Sequence, residues 1–412
     1  MPSAVLDMVI VLNDFCHVQG GASKVAIDEA VALAASGIDV TFLGAVGPVS
    51  DALQDARLRV VCLDQPELAD VVRHPGAALR GLWNRAAGAA LRDLLIPLDS
   101  RRCILHLHGY TKALTAGPAF IAKQAGFRTV CTLHDFFAAC PNGAFFDYRR
   151  QEPCLLTALS PACIATPCDK RHQAHKAYRV VRGMAQRHIA HFPSSVRDYI
   201  TLSRRSAELL RPYLPVASSF YPLENIIDLP AAAPVDVATN RSLLVIGRLD
   251  AEKGVTLAAA AAQQAGWPIV FAGEGPQRAE LEAAGASVTG WLPADQVWQE
   301  LAKARCLIFP SRWYETYGLV VSEAAARGVP AIVSDISAAA ERVADGVTGW
   351  IFRSGDQADL LRCMSRLYDD GVVSAAGEAA YRRFWSSPPN RQRHTEALLS
   401  IYGKVLARDQ AA

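Results

Sequence analysis

At 412 residues, with 51% apolar residues and a formal net charge of +2, the chain is long enough for two cores and is not composed to neutralise many phosphates. The charge balance and the lack of a long basic run argue against a nucleic-acid partner. No apolar run reaches the roughly 18 residues of a membrane span, and the opening MPSAVLDMVIVLND carries Asp7 without a basic leader, so it reads as a buried strand of a cytoplasmic protein with reduced cysteines.

The apolar run at 5–12 is the first expected strand. A loop ending in Gln19-Gly20-Gly21-Ala22-Ser23 follows, then a helical pattern through Ala35 that Gly37 ends, then a second strand at 40–43. Residues 77–98 predict one amphipathic helix with Leu82, Trp83, Ala86, Ala90, Leu94 and Leu95 near one face and Arg80, Arg85 and Arg92 around it. Such a helix packs on a sheet or lies on an anionic membrane surface, so peripheral membrane association stays open. Apolar runs at 103–107 and 129–133 alternate with helical stretches, as in a parallel sheet.

The proline-rich, turn-forming stretch 221–240 marks a domain boundary. Beyond it the plan repeats: a strand at 243–247, a loop at 248–254, an alanine-rich helix to Gly266, and strands at 269–272, 306–309 and 331–334. The expectation is an α/β chain of two Rossmann-like doubly wound parallel-sheet domains, 1–222 and 223–387. Pro388-Pro389 interrupts the helical pattern near Trp385, and residues 388–412 form a closing helix that changes direction there.

Two carboxylates in 310–335 stand out. Glu315 lies in a polar loop, and Glu323 lies in an otherwise apolar helix, where a carboxylate needs a polar partner. Between them Thr316, Tyr317, Gly318 and Leu319 read as a helix start, whose N–H groups attract anions. The loop Gly247-Arg248-Leu249-Asp250-Ala251-Glu252-Lys253-Gly254 follows a strand, where open α/β sheets bind ligands, and its Arg248 and Lys253 suit a diphosphate. Trp313, Tyr314 and Tyr317 crowd Glu315, and Trp291 lies in a neighbouring turn.

GRLDAEKG, the AGEGP at 272–276 that contains Gly273 and Glu274, and Glu315 with Glu323 at their spacing resemble glycosyltransferase family 4. The match is strong over about 150 C-terminal residues; Gly20-Gly21, His134 in TLHD and Asn225 resemble the family's N-terminal features in order. The resemblance implies the GT-B fold, with the two domains facing a cleft and the closing helix crossing back to the N-terminal domain. It also implies a retaining hexosyltransferase using a UDP- or GDP-sugar and a glycan or lipid-linked acceptor, as in surface polysaccharide synthesis. Arg248 and Lys253 would neutralise the diphosphate, and residues 316–319 would hold phosphate or sugar hydroxyls. Glu323 would bind ribose, Glu315 the donor sugar, and Gly20 and Gly21 would let backbone approach the donor. His134 would reach a sugar hydroxyl or the reacting centre, with His106 and His108 as competitors.

No Asp-x-Asp triplet occurs, so no catalytic metal or other cofactor is expected. A phosphorylase, a nucleotide-sugar epimerase or a non-catalytic nucleotide-sugar-binding protein of the same fold are the alternatives. A dinucleotide oxidoreductase fits less well, because no Gly-x-Gly-x-x-Gly follows the first strand. Cys140, Cys154, Cys163 and Cys168 fall within 29 residues. They are read as a structural zinc or cluster site, two disulfides or unlinked thiols.

Overall fold

The computed structural model describes residues 6–68 and 75–408, so Val5 of the first expected strand and residues 409–412 of the closing segment lie outside it. The chain divides into two compact units. One comprises residues 1–143, 156–226 and 389–412; the other comprises 144–155 and 227–388.

The first unit contains strands β1 (Met8–Phe15), β2 (Asp39–Val46), β3 (Arg59–Cys62), β4 (Cys103–Leu107) and β5 (Arg128–Thr132). A hairpin of β6 (Phe146–Asp147) and β7 (Glu152–Pro153) groups with the second unit, and β8 (Asp198–Thr201) and β9 (Ser219–Pro222) complete the first. Its sheet runs β3-β2-β1-β4-β5-β8-β9, all parallel, with Leu12 level with Leu43 on one side and Leu107 on the other. β1 extends past the apolar run through Asn13 and Asp14, both buried. The Asp14 carboxylate accepts hydrogen bonds at 2.8 Å from the N–H groups of Lys112, Ala113 and Leu114, which replace the water that burial removes.

The second unit contains β10 (Ser242–Ile246), β11 (Ile269–Ala272), β12 (Ser287–Gly290), β13 (Ala304–Phe309), β14 (Ala331–Ser334) and β15 (Gly349–Phe352). They form a parallel sheet in the order β12-β11-β10-β13-β14-β15. β13 starts earlier than its apolar run because it carries Arg305, fully buried. That guanidinium donates to the carbonyls of Leu367, Val237, Ala238 and Asn240 and to Asp370, so five acceptors offset its lost hydration.

Two expectations are corrected. Residues 77–98 are not one helix but two, Pro75–Leu82 and Arg85–Leu95, because buried Asn84 caps the second by accepting from the Ala87 N–H at 3.0 Å. The packed face is Ala87, Leu91, Leu94 and Leu95, and Ala86 is exposed, which removes the continuous amphipathic face. The expected boundary stretch 221–240 contains the division between the two units at Ile226/Ile227; its first two residues end β9, and residues 223–241 carry no helix or strand.

The helix Asp370–Ser386 ends before Pro388-Pro389, and a new helix, Arg391–Ala407, starts with Asn390 as its cap. Its Leu398, Ile401, Tyr402, Val405 and Leu406 join the same core as Val9, Val11, Ile104 and Val130. Each large side chain buried there contributes about 1.5–3 kcal/mol, so this helix is part of the first unit's core. Among the described residues, no helix is long and apolar enough to cross a membrane.

Candidate functional site

The second unit gathers its predicted residues at the carboxyl ends of β10, β11 and β13. After β10 the chain turns at Gly247, and its loop is tied to the one after β11: the Leu249 N–H donates to the Glu274 carbonyl at 2.9 Å and the Gln277 N–H to the Leu249 carbonyl at 3.1 Å. Gly273 has φ +156°, and a Cβ there would lie 1.9 Å from the Gly247 carbonyl oxygen, so the close approach of the two loops requires glycine. The Glu274 side chain turns away to Arg278 at 2.6 Å and is half exposed.

Arg248 is ion-paired at its guanidinium yet largely exposed. Its guanidinium meets Asp250 at 2.5 Å and Glu252 at 3.6 Å; those carboxylates are buried, while the Arg248 side chain is 61% exposed. Lys253 closes a 3-10 turn, Ala251–Lys253, and its ammonium reaches Glu315 at 2.5 Å. The same Glu315 oxygen accepts from Ser311 at 2.6 Å and from the Trp313 indole at 2.9 Å, and Lys253 lies 5.2 Å from the Trp313 ring centre. Burial alone would raise the Glu315 carboxyl, but Lys253 and the two hydrogen bonds outweigh it and keep the group below its ordinary range. It is therefore an ionised acceptor rather than a proton donor.

The expected helix start at 316–319 is shifted. Gly318, with φ +88°, is the N-cap, and the helix runs Leu319–Ala326, so Thr316 and Tyr317 precede it. A Cβ at residue 318 would sit 2.6 Å from the Ala339 Cβ, so the left-handed turn that delays the helix depends on glycine. Tyr317 is buried under the Arg342 guanidinium, which stacks 4.1 Å from its ring centre. Glu323 lies inside the helix, half-buried. Trp291 is 75% exposed.

The first unit contains a different arrangement. Gly20 caps the helix Gly21–Ala35, and nothing lies within 4 Å of where its Cβ would point, so the protein itself leaves that space open. His134, just past β5, is half-buried and shares one proton with His108 across 2.9 Å between its Nε2 and the His108 Nδ1. Lost hydration, reinforced by His108, lowers the His134 imidazole to about 3, so it is neutral at any working pH.

Behind His108 lies Glu29, which the sequence reading missed although it stands inside the apolar run of its helix. Its Oε2 is 3.3 Å from His108 and 3.4 Å from His106, and its Oε1 is 3.0 Å from His394. His394 presents its other nitrogen to the Glu224 carbonyl at 2.7 Å. Both of its nitrogens face acceptors, so it is an imidazolium. Burial opposes that charge, but Glu29 outweighs it and raises His394, while His108 and His394 hold Glu29 well below the carboxylate range. His106 bonds Tyr402 and Thr132, each at 2.7 Å, and burial keeps it neutral.

Glu29, His106 and His108 place three potential metal ligands within 4.8 Å of one another. The hydrogen bonds of His106 and the His394 ion pair engage part of this group, while Glu29 Oε2 and His108 Nε2 face each other at 3.3 Å without a hydrogen bond. Of the four clustered cysteines, Cys140, Cys163 and Cys168 are buried in the first unit, and Cys154 lies in the segment that groups with the second.

The model of "Glycosyltransferase Family 4" matches residues 19–229 and that of "Glycosyl transferases group 1" matches 240–370. Glycogen synthase of Mycobacterium tuberculosis is 31% identical over 39% of this chain, which spans only 42% of that relative's length. A 2-deoxystreptamine glucosyltransferase of Streptomyces kanamyceticus is 30% identical over 74% of this chain and 78% of its own. In structure the chain is similar to Anabaena HepE, solved in complex with UDP and glucose, at a TM-score of 0.65 and 14% identity over 97% of this chain and 100% of that one, a likeness of fold. The family model covering residues 19–229, over half of the sequence, together with the two parallel-sheet α/β units, shows that the chain has the GT-B fold and belongs to glycosyltransferase family 4.

Proposed function

We propose that the protein transfers a hexose-type sugar, with retention of anomeric configuration, from a nucleotide-diphosphate sugar to a glycan or lipid-linked acceptor in polysaccharide synthesis. The observation that carries this reading is the pairing of an exposed Arg248 with a Lys253–Glu315 ion pair at the carboxyl ends of a parallel sheet. When the glycosidic bond breaks, negative charge grows on the leaving diphosphate. Arg248 offers two parallel N–H donors to it and Lys253 a point charge. Both are held by carboxylates beforehand, so little reorganisation is needed as the charge develops, and their contribution falls on the transition state.

Glu315, ionised and fixed by three donors, positions the Lys253 ammonium and faces sugar hydroxyls as an acceptor. Glu323 serves the ribose. His134, being neutral, can exchange a hydrogen bond with a sugar hydroxyl but cannot supply positive charge. The relatives support the reading in kind: one is described as a glucosyltransferase and one fold neighbour was solved with UDP and glucose.

The test is thermal unfolding with UDP, GDP, ADP and their sugars. A nucleotide at about 100 times its Kd should add roughly 2.7 kcal/mol to wild type. If no nucleotide changes the unfolding of wild type, the reading fails.

A further inference from the structure

We infer that Cys140, Cys163 and Cys168 are thiolate ligands of one structural zinc ion, with the Lys176 ammonium as the cation that balances their charge. The three cysteines come from separate local structures. Cys140 closes a turn whose N–H donates to the Phe136 carbonyl at 2.8 Å. Cys163 sits in the short helix Pro161–Ala165, started by the Ser160 side chain, and Cys168 in the turn after it. All three are 5% exposed or less, and so is Lys176, which projects from the helix Gln173–His188.

The polar atoms there are arranged around sulfur. Lys176 Nζ lies 3.2 Å from Cys168 Sγ and 3.7 Å from Cys163 Sγ. The Asn142 amide bridges the other pair: its nitrogen donates to Cys168 Sγ at 3.4 Å, and its oxygen accepts from the Cys140 thiol at 3.0 Å, a proton that zinc would displace. A neutral thiol is a weak acceptor, so three thiols cannot compensate a buried ammonium. Three thiolates with one ammonium leave a surplus of two negative charges, and a divalent cation brings the group to neutrality.

The core cysteines are placed differently. Cys103 and Cys363 are pushed up to about 12 and about 11 by burial and lie beside backbone carbonyls, as inert thiols do.

Zinc fits because it takes thiolate at about 2.3 Å, the three sulfurs filling three of its four tetrahedral positions, and N–H donors to sulfur are the usual supporting contacts. On binding, each thiol loses its proton to solvent and its sulfur lone pair forms the bond to zinc. The ion would join a turn, a short helix and a loop that have little apolar core between them, so its binding energy becomes folding energy.

The test is elemental analysis of wild type purified without chelator, expected to show about one zinc per chain. Cys163→Ser and Cys168→Ser should lose it, and Cys62→Ser, a half-buried cysteine outside the group, should keep it. Should the serine variants fail to fold, cobalt-reconstituted wild type should still show thiolate-to-cobalt charge-transfer absorption. Lys176→Met should bind zinc but release it to a chelator about tenfold faster, the scale of a lost supporting contact. The proposal is overturned by metal-free wild type without the cobalt absorption, by full zinc in Cys163→Ser, or by a disulfide among these cysteines in a non-reduced digest. Unchanged release from Lys176→Met overturns the role given to the lysine.

Discussion

The Glu29 group of the first unit and the Arg248–Lys253–Glu315 group of the second both involve the carboxyl ends of parallel strands, yet they are built in opposite ways. In the first, the polar groups lie under the helix Arg391–Ala407 and meet partners inside the protein: Glu29 pairs with His394, and the neutral His106 bonds Tyr402 and Thr132. In the second, the Arg248 side chain is largely exposed while the carboxylates that pair with its guanidinium are buried. A closed network is coupled to stability, and an open one to ligand. The same chemistry, a carboxylate beside a cation, thus serves folding in one place and recognition in the other.

The strongest way to break this contrast is Glu29→Leu. It leaves the His394 imidazolium buried without its partner and should cost about 3–5 kcal/mol of stability in urea unfolding; a loss near zero would mean the cluster is not charged. Lys253→Met should lower kcat by about 10²–10³ in a glycosyl-transfer assay, with a smaller stability loss as Glu315 keeps Ser311 and Trp313.

Arg248→Ala should cost less than about 1 kcal/mol of ligand-free stability, because its ion pairs are solvent-screened. It should also remove most of the nucleotide stabilisation of wild type. Equal losses with and without nucleotide would show Arg248 to be structural.

The acid side of the stability curve sharpens the contrast. The unfolded His134 takes a proton below 6.5, whereas the folded one refuses it until about 3, so its contribution is lost as pH falls through that window, by up to about 1.4 kcal/mol per pH unit. Asp135, which burial raises to about 6, has the opposite slope between 3.8 and 6. The comparison of wild type with His134→Gln isolates the imidazole, and the variant should lose less stability on acidification. Tyr402→Phe should cost about 1 kcal/mol for the hydrogen bond to His106, read from thermal unfolding.

Much of this organisation was legible in the chain. Apolar runs placed most inner strands of both sheets, because buried parallel strands need continuous hydrophobicity. The short strands β3, β8, β9, β12 and β15 were not seen, since four residues are too few to show a clear period. Arg248, Lys253, Glu315 and Glu323 were singled out by charge at strand ends and acid in an apolar helix. That last signature also marks Glu29 in AIDEAVALAA and would have found it. The partners could not be read: Lys253 meets Glu315 across 62 positions and His394 meets Glu29 across 365, distances only the folded chain closes. The helix start at Leu319 was misplaced because a glycine cap at Gly318 gives no compositional signal distinct from a loop.

The helix Arg391–Ala407 has a consequence in time as well as in space. Its residues are translated after every strand of the second sheet, so during synthesis the Glu29 face of the first unit stays wet, with its carboxylate lacking His394 and its histidines lacking Tyr402. Chains usually fold from the amino end as they emerge; here the first unit to appear is the last to be completed. Ribosome-bound chains released just short of residue 391 should therefore present a protease-sensitive first sheet beside an already resistant second one.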